Sequence, residues 1–302
     1  MMSSDRRRFL KALSSLPLAA AIGPDALASG FARVGGEFGR KLKLSLNVYS
    51  FNYLLSRKEI DLFDVLDFCV EHDFDAIDPT GYYFPGYPDV PDDEFINRFK
   101  RNAFLVGLDI SGTGVRNDFA NPEASSREAD VTMIRDWIKV AAKLGSPNIR
   151  IFAGKSDHDG YSRDDVLAWM AKDIRQCCDF GKQYGVMIAL QNHNDFIKTA
   201  ADVERIFEMV DSEWLGLNLD FGSFRQRDPY EETRRVVDLA ITWQLKENVW
   251  IDGQSTPTDF AKLLPIIRDA GYRGYLPIET LGAGDPYEKI PALLERVRTT
   301  FS

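Results

Sequence analysis

Cysteine and histidine are scarce in this chain, with three of each in 302 residues. Three cysteines make no disulfide framework. Cys177 and Cys178 are neighbours in one helical pattern and Cys69 falls on the apolar side of another, so all three read as core or helix-packing residues. Long hydrophobic runs are missing too. The apolar stretch from Ala12 to Ile22 falls well short of the ~20 residues that cross a bilayer, so no membrane span is expected. There is no basic block, and 37 basic against 46 acidic side chains give a formal net charge of −9. That balance suits solubility and repels nucleic acid and anionic membranes. The chain also lacks a P-loop, a GxGxxG after its first strand pattern, an HExxH and a GxSxG elbow. Nothing therefore points to a nucleotide cofactor or to serine hydrolysis.

What is present begins with Asp5-Arg6-Arg7-Arg8-Phe9-Leu10-Lys11, the modest apolar run to Ile22, and the small residues of Ala26-Leu27-Ala28. Charge, apolar run and cleavage site come in the order of a twin-arginine signal peptide, here over residues 1–28. The expectation is export by the twin-arginine machinery, to the periplasm. Residues 29–40 are rich in glycine and polar groups and read as a leader. Residues 41–302 remain, close to the ~250 typical of one eightfold barrel.

Strand-like and helix-like periods alternate through that stretch, the signature of parallel βα units. Strands are predicted near 42–49, 74–78, 104–110, 147–152, 186–191, 214–219, 241–245 and 274–279. Helical patterns follow near 58–72, 92–102, 126–144, 163–184, 200–210, 230–239, 257–270 and 286–299. Glycine follows the helical pattern at Leu144-Gly145, Tyr184-Gly185 and Ala270-Gly271, where a left-handed residue can satisfy the last carbonyls. Eight units with no linker between them predict an α/β fold, a single-domain (β/α)8 TIM barrel. Two long connections, 79–91 and 111–125, fall at the C-terminal face, where such barrels keep their sites. The first holds Tyr82, Tyr83, Phe84 and Tyr87, which suit either the apolar faces of a sugar or packing of the loop onto the barrel.

Side chains alternate along a strand with period two. Gln191 and His193 share one parity, as do Asn218 and Asp220, and Gln244 and Lys246, while Glu279 ends the eighth strand. All belong to strands five to eight and can face one cavity. A carboxylate after an apolar strand is costly unless paired, solvated or metal-bound, which singles out Asp220 and Glu279.

The order and spacing of Ile188-Ala189-Leu190-Gln191-Asn192-His193, Gly216-Leu217-Asn218-Leu219-Asp220, Trp243-Gln244-Leu245-Lys246 and Gly274-Tyr275-Leu276-Pro277-Ile278-Glu279 resemble the xylose isomerase-like family of sugar isomerases and epimerases. The resemblance implies a divalent metal held through Glu, Asp, His and Glu at four successive strand ends. Here those positions read Gln191, Asp220, Gln244 and Glu279. Two carboxylates and two amide oxygens suit Mg, Mn or Ca better than Zn. An amide cannot serve as a general base, so the proton carrier becomes Glu279 or His193. His193 could equally contact a sugar hydroxyl, ligate the metal or bond a neighbouring loop. Lys246 could hold a carboxylate, a phosphate or a developing oxyanion. Ser223 stands where many relatives carry a substrate-contacting His. Arg150 should point into the barrel if Ile149 and Ile151 pack on helices, with Asp220, Glu279 or substrate as its anion. Arg150, Ser223, Tyr82 and Tyr83 are thus the expected substrate contacts. His158 lies in a polar loop that could approach substrate; His72, at a helix end, reads as structural.

The expected activity is movement of a proton next to a carbonyl of a sugar or keto-sugar, with metal assistance. Two other readings share these residues: a lyase or hydrolase-like enzyme on oxidised glycosides, and a barrel that binds sugar without turning it over. The expected partner is a small carbohydrate, and a homo-oligomer is left open. Nuclease relatives that hold three metals with several histidines fit poorly, given three histidines and an acidic chain.

Overall fold

The structure, a computed structural model, describes residues 42–155 and 160–301. The expected signal peptide, the leader and His158 lie outside those residues. Strands β1 (Lys43–Asn47), β2 (Ala76–Asp78), β3 (Asp109–Ile110), β4 (Thr113–Gly114), β5 (Asn148–Phe152), β6 (Met187–Gln191), β7 (Leu215–Asp220), β8 (Ala240–Lys246) and β11 (Tyr275–Glu279) form one sheet in the order β3-β2-β1-β11-β8-β7-β6-β5-β4. Every pairing in that sheet is parallel. The two end strands, β3 and β4, are halves of one segment interrupted at Ser111 and Gly112. One half pairs with β2 and the other with β5, so the order wraps round as an eightfold barrel.

The helices of eight residues or more follow strands: α1 (Leu62–Glu71), α2 (Asp93–Leu105), α3 (Ala124–Leu144), α4 (Arg163–Tyr184), α5 (Ala200–Val210), α6 (Pro229–Val236), α7 (Phe260–Asp269) and α8 (Pro286–Phe301). Their starts follow from local chemistry. The side chains of Asp61, Ser162 and Thr199 accept from the N3 backbone, and Asp64, Asp165 and Asp202 reach back to the cap. Their ends follow as well: Gly145 and Gly185 sit at φ 82° and 67°, the left-handed caps expected there. No described helix is long and apolar enough to cross a membrane.

Along each strand one parity packs outward under the helices and the other turns into the barrel. Ile149, Ile151, Ile188, Leu190, Leu217, Leu219, Trp243, Leu245, Leu276 and Ile278 are fully buried in the outer layer. The opposite parity is polar: Ser45, Asn47, Asn148, Arg150, Gln191, Asn218, Asp220, Thr242, Gln244, Lys246 and Glu279 are all buried. Cys69, Cys177 and Cys178 are free and buried, and burial pushes all three thiols up, so they are packing residues.

Two local expectations fail. The run Phe104-Leu105-Val106 reads as the start of a strand, but Phe104 and Leu105 finish α2 and both are exposed; the strand begins only at Asp109. A hairpin, β9 (Asn248–Ile251) with β10 (Gln254–Pro257), stands between β8 and α7. Its turn is Asp252-Gly253, both residues at positive φ, as a mirror-image two-residue turn demands.

Candidate active site

Five strand ends bring the site together by register alone. Phe152 pairs with Gln191, Gln191 with Asn218, Asp220 with Gln244, and Lys246 with Glu279. Parallel strands in this register set their C-terminal inward residues side by side. Asn192 then locks the rim: its Nδ2 donates to the Asp220 carbonyl at 2.9 Å and its Oδ1 accepts from the Asp220 N–H at 2.8 Å. One side-chain amide thereby stands in for a backbone pair where the ladder ends.

The centre of the site is an ammonium between two carboxylates. Lys246 Nζ lies 2.7 Å from Glu279 Oε2 and 3.0 Å from Asp220 Oδ2. The same Asp220 oxygen accepts from Ser223 Oγ at 2.8 Å and from Gln191 Nε2 at 2.8 Å. Gln191 Nε2 also donates to Gln244 Oε1 at 2.6 Å. Burial opposes the charge on Lys246, but Asp220 and Glu279 outweigh it and hold its pKa above the ordinary lysine range. The amine is therefore a fixed cation at neutral pH rather than a nucleophile.

A cavity of about 700 Å³ opens above this floor. Gln191, Gln244, Lys246, Glu279, Arg150, His193 and Tyr82 all line it. His193 is half exposed, with Nδ1 3.5 Å from Asp195 Oδ2 and its ring against Phe152. Arg150 is buried; its Nη1 donates to Tyr82 Oη at 2.8 Å and to the Val115 carbonyl at 3.3 Å. Neither Asp220 nor Glu279 is within ion-pair distance of it, so the expected carboxylate partners are not its partners. Asp78, at the end of β2, is also buried; burial pushes it up to about 6, with Arg150 opposing and Glu279 adding to the shift.

Two expected substrate contacts are placed elsewhere. Ser223 is spent on Asp220 and does not line the cavity. Tyr83 packs against the core, its hydroxyl donating to Asn52 Oδ1 at 2.9 Å. Conversely, Tyr49, Arg116, Asn117, Asp118, Asp130, Lys155 and Asp195 line the cavity without having been singled out. Arg116, Asn117 and Asp118 come from the long connection 111–125, whose length was the signal that could have found them.

The expected oxygen cage for a divalent ion does not fit these residues. Asp220 Oδ1 and Gln191 Oε1 are buried without a hydrogen bond, which by itself would suit a cation. The space between the two carboxylates, however, is taken by the Lys246 ammonium, and Gln191 turns its NH2 group, a donor, towards Asp220. A divalent ion at the usual 2.0–2.6 Å from both carboxylates would sit against a positive nitrogen. Among the described residues no group of three or more His, Cys, Asp or Glu is placed to hold a metal.

The chain belongs to the xylose isomerase-like TIM barrel family, whose model matches residues 66–299. Solved structures share the barrel at low identity. A 3-keto-D-glucoside 4-epimerase from E. coli is 18% identical, with 86% of this chain and 100% of that one covered and a TM-score of 0.69. A D-psicose 3-epimerase from Clostridium cellulolyticum H10 is 15% identical over 86% and 99% of the two chains, with a TM-score of 0.68. The IOLI protein, solved with a bound zinc atom, is 15% identical over 85% and 96%, with a TM-score of 0.69. No curated protein sequence matches the chain.

Proposed function

We propose that this protein is an enzyme that moves a proton next to the carbonyl of a sugar or keto-sugar, an isomerase or epimerase in which Lys246 supplies the positive charge at the reacting oxygen. The observation that carries this reading is the buried Lys246 ammonium, fixed by Asp220 and Glu279 at the floor of a cavity of about 700 Å³. Removing a proton beside a carbonyl places negative charge on the oxygen, and a preorganised cation in a water-poor site stabilises that charge. Glu279 is the carboxylate next to that cation and takes the carbon-bound proton. His193, on the rim of the same cavity, is the second group able to hand a proton back. Asp220 has a different task. It accepts three donors on one oxygen and so holds Lys246 in place rather than reacting. Gln191 is neutral and positions Asp220 and Gln244. The epimerase names carried by two structural neighbours agree with this chemistry.

The test is proton exchange. Keto-sugars incubated with the enzyme in D2O and chelator should gain deuterium at the carbon beside the carbonyl, read by NMR. Glu279→Gln should slow exchange by at least ~10²-fold. No exchange with any keto-sugar would sink the reading, and exchange that appears only with added divalent ion would remove Lys246 from its role.

A further inference from the structure

The proton-transfer reading leaves one buried charge unused. Arg150 is 6% exposed, yet no carboxylate among the described residues lies within ion-pair distance of it. Its protein hydrogen bonds come from Nη1 alone, to Tyr82 Oη and the Val115 carbonyl; Nε and Nη2 donate to no described residue. The two carboxylates that act on it electrostatically have other partners: Glu279 pairs with Lys246, and Asp78 accepts from Asn47 Nδ2 at 3.4 Å. A second guanidinium stands close by. Arg116 lines the same cavity, makes no ion pair with a described residue, and lies 4.8 Å from the Tyr82 ring centroid, with Arg150 5.4 Å from that centroid. Two guanidiniums thus flank one tyrosine, and neither makes an ion pair with a described residue.

The backbone is shaped to admit this arrangement. Gly114 pairs with Arg150 in the sheet register. A Cβ on Gly114 would fall 2.7 Å from both Nε and Nη2 of Arg150, so only glycine leaves the guanidinium its place. A buried guanidinium is costly without an anion, and a planar fork with two free donors matches an oxyanion in bidentate fashion.

We infer that the Arg150–Arg116 side of the cavity binds an anionic group on the substrate, so that the substrate is an acidic sugar rather than a neutral one. The anion can be a carboxylate, as in a sugar acid, or a phosphate ester; both present oxygens to the same fork. The inference rests on the proton-transfer reading for the word substrate, but not for the binding site itself. The anion fixes one end of the sugar at Arg150 while its carbonyl lies at Lys246.

Equilibrium binding to the full chain tests it without requiring turnover. Glucuronate, glucose and glucose 6-phosphate are titrated calorimetrically into wild type, Arg150→Gln and Arg116→Gln. The expected result is binding of at least one anionic sugar ≥10-fold tighter than glucose, a loss of ≥10-fold in Arg150→Gln, and a smaller loss that shrinks with salt in Arg116→Gln. Glucuronate preferred over glucose 6-phosphate assigns a carboxylate, and the reverse order a phosphate. Glucose binding as tightly as both anions, or an unchanged anion preference in both variants, overturns the inference. Arg116 is exposed, so its variant keeps the test valid if Arg150→Gln does not fold. The two readings fail separately. Anion binding through Arg150 without deuterium exchange removes proton transfer alone. Exchange into an anionic keto-sugar with KM unaltered in Arg150→Gln removes the anion site alone.

Discussion

Lys246 and Glu279 are register partners on adjacent strands, and the ammonium of one stands 2.7 Å from the carboxylate of the other at the floor of the barrel. Asp220 completes the arrangement from the opposite neighbouring strand at 3.0 Å. Two buried negative charges are therefore offset by a positive charge from the chain itself, and removing that charge leaves both carboxylates uncompensated.

Lys246→Met should lower unfolding stability by about 3–5 kcal/mol, the usual cost of breaking a buried pair from one side. The pH dependence has a definite sign. The folded pKa of Lys246 is raised, so its contribution is complete below the ordinary lysine pKa of ~10.4 and is lost only as pH rises through the higher folded value. The gap between wild type and variant in urea titrations should not shrink from pH 6 to 9. A gap that closes within that range would show that the amine is not charged throughout it.

Gln191→Glu should also destabilise, for the opposite reason. It replaces the Nε2 donor, 2.8 Å from Asp220 Oδ2, with an acceptor that carries charge when ionised. Two carboxylates at that separation repel, and one is forced to hold a proton. The loss should be on the order of 2–3 kcal/mol at pH 8 and smaller at pH 5, measured by denaturant unfolding at the two pH values. Equal stability at pH 8 would mean that Lys246 can neutralise three carboxylates.

Asp78 offers a stability change with a pH signature. Burial raises its pKa from 3.8 to about 6, so the fold disfavours its charged form. That cost is absent below the unfolded pKa, grows as pH rises, and is complete above about 6. Asp78→Asn removes the titration and should stabilise by up to ~3 kcal/mol at pH 7.5, with the gain fading towards pH 4. Thermal melts of the two proteins across that range check it; a Tm difference independent of pH would contradict the burial of a charged Asp78.

Ser223→Ala separates a structural role from a substrate contact. The hydroxyl is one of three donors to Asp220 Oδ2 and does not line the cavity. Its loss should cost about 1.5–3 kcal/mol of stability, the usual range for a hydrogen bond to a charged group, and leave KM within about twofold. A KM raised tenfold at unchanged stability would return Ser223 to the substrate.

Much of the barrel was legible because its signals are local. The helix over 163–184 matches its predicted bounds, since Ser162 and Gly185 mark both ends chemically. The strand over 104–110 was misplaced because Phe104-Leu105-Val106 is apolar without being buried, and burial is a property of the whole fold. The Asp252-Gly253 hairpin is not among the expected elements although its turn signal is present in the sequence, between the strand near 241–245 and the helix near 257–270.

At the site, period-two parity sets Asn218 with Asp220, and Gln244 with Lys246, on one side of their strands, since alternation follows from backbone geometry alone. Parity says which residues face inward, but not which atoms touch. Only the tertiary structure decided that Lys246 reaches across to both carboxylates, that Ser223 is consumed by Asp220, and that Arg150 is left with free donors beside Arg116. Those outcomes depend on strand register and on contacts between residues as far apart in sequence as Tyr82 and Arg150, and local sequence carries no record of such distances.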